Sequence, residues 1–206
     1  MHGARVLTQT FFDRDPRTVA RELLGKLLLR DDNGQLLAGR VVETEAYLAA
    51  ADPANHAYRG PTPRNTAMFG PPGHAYVYAM HRYHCLNVVT EAEGIASAVL
   101  LRAVEPLQGM EVMFSRRGTT RHVNLTSGPG KLCQAFAIDR SLDQWALTLG
   151  ERLWLAAPIS ESAVDLVVTP RIGVTSAKDL PLRFCDAASA CLSRRVRATA
   201  GKYHTA

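Results

Sequence analysis

No stretch of the 206 residues approaches the roughly 18 consecutive apolar residues that a membrane-spanning helix requires. No membrane span is therefore expected. The N-terminal MHGARVLTQTFFDRDP lacks the charged segment, apolar run and small-residue cleavage site of a secretory signal. A cytoplasmic protein is the expectation. Cysteine is scarce: Cys85, Cys133, Cys185 and Cys191, with no pair spaced C-x-x-C. Such scatter offers neither a disulfide framework nor a zinc site, and reduced, buried thiols are expected. His81, His84 and Cys85 lie close together, but on a strand His81 and His84 face opposite ways. No metal site is assigned and no cofactor is expected. There is no G-x-S-x-G nucleophile elbow. SGPGKL at 127–132 has the wrong spacing for a P-loop. It reads as Gly-Pro at a helix start, where backbone N–H groups and Lys131 can hold a phosphate. Internal repeats, low-complexity tracts and linkers are also absent, so residues 1–206 read as one domain.

What is present is globular: 47% hydrophobic and 21% charged residues. The net charge of +5 permits nucleic acid as a partner without requiring it. The positive charge clusters at Arg116, Arg117 and Arg121, and again at Arg194, Arg195, Arg197 and Lys202. The second cluster suggests a flexible basic tail over 194–206. Asp15-Pro16 reads as N-cap and first helical residue, with Val19, Leu23 and Leu24 on one face. KLLLR, the turn DDNG and QLLAGRVVETEAYL form a hairpin. HAYVYAM, HCLNVVT and IASAVLLRAVEP read as further antiparallel strands. Pro106 is expected to open a helix running to about Arg116, and Ser127 with Pro129 to open another carrying Leu132 and Phe136. Short strands are expected at RLWLA, DLVVT and RIGV. Hairpin-linked strands followed by helices predict an α+β domain, a mainly antiparallel sheet flanked by helices.

The chemistry concentrates in VVETEAYLAADPANHAYRG, residues 41–59. Read as a strand, one face carries Val41, Glu43, Glu45 and Tyr47, with His56 a short loop away. A carboxylate beside aromatics can activate water and stabilise a developing cation. Both are needed to cleave a glycosidic bond. Glu45 is the first candidate because Tyr47 points the same way, but Glu43 shares the face and parity does not choose between them. The loop 49–73, rich in Pro, Gly, Asn and Arg, holds His56, Arg59, Arg64 and Met68, and so long a loop is usually functional. Tyr47, Tyr58, Tyr76, Tyr78 and Tyr83 are five of the six tyrosines, a density that suits core packing or stacking on unstacked bases. A non-catalytic nucleic-acid-binding module explains the charge and the tyrosines, but not a carboxylate inside a phosphate-binding face.

The ordered set VVETEAY, His56, TPRNTAMF, YVY, CLNVV, VLLRAVEPLQGME, SGPGKLCQAFAI and RIGV strongly resembles the alkyladenine (3-methyladenine) DNA glycosylase family of base-excision repair. The resemblance runs from about Ala20 to Phe184. It implies a curved antiparallel sheet, no metal, and a monofunctional hydrolase of N-glycosyl bonds that flips damaged purines from duplex DNA. Glu45 then matches the general base, and Arg102 the arginine near the attacking water. The main-chain carbonyl of Ile172 matches a further water contact. Tyr47, His56 and Tyr78 match the residues that contact the flipped base, and Asn87 the pocket asparagine that rejects guanine. Thr62 and Arg64 fall in the segment that approaches phosphates. The chain departs from the family at YAMHRYHCLN, one residue shorter than forms carrying YGM. There Met80, His81 or Tyr83 takes the place of the intercalating tyrosine, His81 being nearest by position. A lyase acting through Lys26 or Lys131, and a hydrolase of free nucleosides, are the alternatives. A monomer is the default.

Overall fold

The computed structural model describes residues 3–160 and 162–196. Most of the basic tail expected at 194–206 lies outside the described residues. Asp15 caps the helix opened by Pro16, its carboxylate accepting the Arg17 N–H at 2.8 Å. This helix, α2 (Pro16–Glu22), follows a one-turn α1 (Gln9–Phe12) and buries Val19 and Ala20. The strands are β1 (Arg5–Val6), β2 (Leu27–Asp32), β3 (Gln35–Tyr47), β4 (Ala75–Met80), β5 (Tyr83–Thr90), β6 (Ser97–Gln108), β7 (Leu153–Ala157), β8 (Leu166–Thr169) and β9 (Arg183–Asp186). Two longer-range helices complete the domain, α3 (Met110–Arg117) and α4 (Pro129–Ala135). Asn33 and Gly34, at φ 56° and 86°, close the β2–β3 hairpin as a two-residue turn with both centres left-handed, the geometry that matches strand twist.

All the strand pairings are antiparallel, in the order β1-β7-β2-β3-β6-β5-β4. Strand β3 is the spine. Its first half pairs with β2, while Glu43–Glu45 pair on the same edge with β9, which carries β8 outside it. Helix α2 packs on β3 and β6, and α4 on β5 and β6. The main core lies between these helices and the sheet, with Leu37, Val41, Ala46, Leu101 and Val104 among its buried members. The four cysteines are buried free thiols. No helix among the described residues is long and apolar enough to cross a membrane.

Three expectations are corrected. Pro106 does not open a helix; β6 runs through it to Gln108, and α3 starts at Met110. Pro106 pairs with Gly39 beside a register shift, a bulge position where a missing N–H is tolerated. RIGV is not a strand: residues 171–174 form a loop, and the last strand is β9 instead. Finally, Val41 does not share a face with Glu43, Glu45 and Tyr47. Register slips between Val41 and Glu43 and between Glu43 and Thr44 leave Val42 on β3 and Arg102 on β6 without partners. Such bulges re-aim the following side chains. Before the slip, the odd residues Leu37 and Val41 face the core; after it, the even residue Ala46 does so. Thr44 likewise turns toward α2, its hydroxyl donating to the Ala20 carbonyl at 2.8 Å. Glu43, Glu45 and Tyr47 are thereby turned to the opposite side.

Candidate active site

On that opposite side lies a cleft of about 1330 Å³. The two carboxylates behind it have different surroundings. Glu43 is fully buried and saturated. Its Oε1 accepts from Arg102 Nε (2.8 Å), Arg183 Nε (2.8 Å) and Ser193 Oγ (2.6 Å), and its Oε2 from the Ser193 N–H (2.6 Å). Burial alone would raise its pKa, but these donors and the two guanidinium charges outweigh burial and hold it below the ordinary 4.5. Glu45 is equally buried. Its Oε1 accepts the Ile172 N–H at 2.7 Å, and its Oε2 accepts the Tyr47 hydroxyl at 3.0 Å and stands 3.3 Å from Arg102 Nη1. Here burial wins over Arg102 and the two donors, and the pKa is raised above 4.5. Arg102 sits between the two carboxylates. Burial opposes its charge, but Glu45 and Glu43 more than offset that and lift its pKa. The three groups that contact Glu45, namely Tyr47, Arg102 and Ile172, line the cleft floor.

Above this floor stand the aromatics. His56 and Tyr78 meet edge to face, ring centroids 4.6 Å apart, and His56 Nδ1 lies 3.0 Å from the Tyr76 hydroxyl. His56 as a residue is exposed, yet its ring is crowded against two tyrosines. That crowding desolvates the ring nitrogens and lowers the pKa below the ordinary 6.5, which favours the neutral imidazole. Burial raises the Tyr47 and Tyr78 pKa values and pushes Tyr76 up to about 12, so all three keep their protons. Tyr47 forms the other side, with the Arg171 guanidinium 4.6 Å from its ring centroid. Asn87 opens onto a separate recess of about 20 Å³ beside Tyr47, His56 and Tyr78, room for about one water. Its amide donates to the Tyr76 carbonyl at 3.1 Å.

The cleft continues past exposed Thr62 and Arg64 to the start of α4, where Lys131 Nζ lies 3.3 Å from Ser127 Oγ. The β4–β5 hairpin overhangs it. Met80 is 45% exposed and Tyr83 36%, and both line the cleft, whereas His81 is an exposed turn residue at φ 54° outside the lining. Tyr83 is held: the Arg82 guanidinium lies 5.1 Å from its ring. A Cβ at Gly130 would come within 3.0 Å of it, so a side chain there would press on Tyr83 and displace it by a few tenths of an ångström. Of the expected site residues, Glu45, His81 and Asn87 do not line the main cleft: Glu45 is buried behind Tyr47, Arg102 and Ile172, which do line it, Asn87 lines the separate recess, and His81 lies outside both. Ile172 contributes its N–H to Glu45.

A search against family models matches residues 10–190 to methylpurine-DNA glycosylase. The chain belongs to the methylpurine-DNA glycosylase family. A relative from Carboxydothermus hydrogenoformans, named "Putative 3-methyladenine DNA glycosylase", is 50% identical over 182 residues, 87% of this chain and 94% of its own. One of the same name from Methanoculleus marisnigri is 48% identical over 193 residues, 92% of this chain and 99% of its own. Several residues not expected from the sequence hold the site in place. Asn55 ties the His56 loop down by donating to the Leu48 and Ala96 carbonyls at 2.7 and 2.8 Å. Asn65 binds the His56 and Gly60 carbonyls at 3.0 and 3.1 Å. Asp52, Arg171, Arg183 and Ser193 complete the set. Buried asparagines and aspartate inside a polar loop were the available signal, since such side chains replace missing backbone partners.

Proposed function

We propose that the chain is a monofunctional DNA glycosylase that flips alkylated or deaminated purines out of duplex DNA and hydrolyses the N-glycosidic bond with a water activated by Glu45. The observation that carries this reading is the contrast between two carboxylates on one strand. Glu43 is spent on structure. Glu45 stands under the cleft floor with its anion disfavoured by burial, the condition of a base poised to take a proton.

In this reading Arg64 and Lys131 hold phosphates, and a side chain from the Met80–Tyr83 hairpin fills the gap left in the duplex. Met80 suits that task by its exposure and apolar character. The everted purine stacks against Tyr47, His56 and Tyr78. A cationic methylpurine gains about 0.5–2 kcal/mol from the tyrosine faces, and a neutral His56 does not repel it. The Asn87 side chain, which lines the small recess and is held by the Tyr76 carbonyl, stands where it would clash with the exocyclic amino group of guanine. Water attacks C1′ and gives its proton to Glu45. The glycosidic electron pair departs with the base, which leaves neutral if it entered as a cation. Arg102, already paired with both carboxylates, orients Glu45 and keeps the negative charge from being prohibitive beside phosphates. A module that only bound nucleic acid would have no use for a carboxylate so placed.

The test is product analysis on duplexes containing 3-methyladenine or 1,N6-ethenoadenine. The expected products are free base and an intact strand with an abasic site, with no covalent adduct on borohydride treatment. Trapping of an adduct would assign a lyase using a lysine. Hydrolysis of free nucleosides in preference to lesion duplex would overturn the DNA reading.

A further inference from the structure

The loop that carries Ile172 and the loop that carries His56 are joined by one ion pair away from the cleft surface. Arg171 Nη1 and Nη2 donate to Asp52 Oδ2 and Oδ1, each at 2.7 Å, and both side chains are fully buried. Nη1 also donates to the Ala46 carbonyl at 3.0 Å. Asp52 in turn accepts the Leu48 N–H at 3.0 Å and the Ala54 N–H at 3.2 Å, fixing the loop that starts after β3. Burying such a pair is a poor way to gain stability, because apolar residues of similar size serve as well. The cost is higher here: Arg171 Nε is buried with no hydrogen-bond partner among the described residues. The pair must therefore be explained by what it holds. The guanidinium lies against one face of Tyr47, and the next residue along the chain supplies the N–H bound by Glu45.

We propose that Arg171 is a positioning residue for base excision: the Asp52–Arg171 clamp fixes the Tyr47 platform and delivers the Ile172 amide to Glu45. The inference rests on the roles given above to Glu45 and Tyr47. Arg171 touches neither base nor water, and it does not line the cleft. It acts through its two neighbours. A guanidinium suits the task because one planar group can pair in a fork with a carboxylate while stacking on a ring, which an ammonium cannot do. The groups that face Glu45 are Arg102 from β6, Tyr47 and Glu43 from β3, the thiols of Cys85 from β5 and Cys185 from β9, and the Ile172 amide from the loop. With Arg171 charge-paired to Asp52, its removal is felt at Glu45 chiefly through the amide.

The experiment is single-turnover excision from an ethenoadenine duplex across a pH series, with Arg171→Lys, and with the paired change Asp52→Asn/Arg171→Gln, which leaves no lone buried charge. Melting curves identify the temperature at which each variant is folded. Expected are a rate lower by about 10- to 100-fold, as for small misplacements of reacting groups, and an acid limb moved to higher pH because Glu45 has lost a donor. Lesion-duplex affinity should also weaken. If a folded variant keeps the wild-type rate and acid limb, with only a lower melting temperature, the clamp is purely structural and the proposal falls. Should Arg171→Lys be too unstable to assay, the paired variant is read by the same criteria. Failure of the underlying reading looks different: wild type would show no acid limb, or Glu45→Gln would excise normally.

Discussion

Substituting the two carboxylates of β3 one at a time should separate stability from catalysis. Glu43→Gln removes the charge from a site where the side chains of Arg102 and Arg183 are 8% and 4% exposed. It presents an amide nitrogen to donors that had an oxygen. Breaking a buried ion pair in this way costs about 3–5 kcal/mol. For a domain of this size, at about 2–4 °C per kcal/mol, the melting temperature should fall by roughly 6–20 °C. Glu45→Gln should behave in the opposite manner. Burial already disfavours the Glu45 anion, so the folded state pays to ionise it at neutral pH, and an uncharged isostere relieves that cost. Its melting temperature should hold or rise. Excision, however, should fall by about 10²–10⁴-fold, the usual contribution of a general base, or about 2.7–5.4 kcal/mol of barrier. Lesion-duplex affinity should survive. Thermal denaturation and single-turnover excision from 3-methyladenine or ethenoadenine duplexes supply both numbers. Near-normal excision by Glu45→Gln, or a Glu45→Gln protein that melts many degrees lower while Glu43→Gln does not, would refute the assignment.

Excision by wild type should decline as pH falls through the Glu45 pKa, placing the acid limb above 4.5. Protein unfolding should not set that limb. Glu43 and Asp52 are held below their ordinary 4.5 and 3.8, so their stabilisation is complete above those values and is lost only as pH drops through the depressed ones. A limb that coincides with loss of circular dichroism would contradict this. Asn87→Ala enlarges the recess and should raise removal of guanine relative to adenine lesions; unchanged selectivity on guanine-containing duplexes would remove Asn87 from the discrimination. Lys131→Ala should weaken lesion and undamaged duplexes alike and reduce the slope of log affinity against log salt by about 0.9, and an unaltered slope would mean that Lys131 contacts no phosphate.

Local chemistry made much of this fold legible. Asp15-Pro16 and Asn33-Gly34 each have one comfortable conformation, and β3 and β6 are long apolar-rich runs bounded by turn residues. The failures share a cause: the backbone group at issue had a partner far away in sequence. Pro106 reads as a helix start only until Gly39 and a register slip supply a place where its N–H is not required. RIGV is β-branched enough to be a strand, but the Ile172 N–H is spent on Glu45, and Gly173 is at φ 80°. Strand β9, RFCD, is buried along its whole length and so shows no alternation to read.

The site followed the same division. Periodicity found the face bearing Glu43, Glu45 and Tyr47 but wrongly added Val41, because the slip at Val42 cannot be seen in a pattern of apolar and polar residues. That slip is what allows an acidic face to exist here. A regular β3 would continue the core-facing parity of Leu37 and Val41 into Glu43 and Glu45 and bury both against the helices, where neither Arg183 nor Arg102 could reach them. The matching extra residue on β6 is Arg102 itself, so the displaced register and the cation that neutralises the acids arise together. Choosing between the acids then depends on Arg183 and Ser193, 140 and 150 positions away along the chain. No local pattern encodes that choice; the folded neighbourhood makes one carboxylate a structural anion and leaves the other underused, beside the cleft.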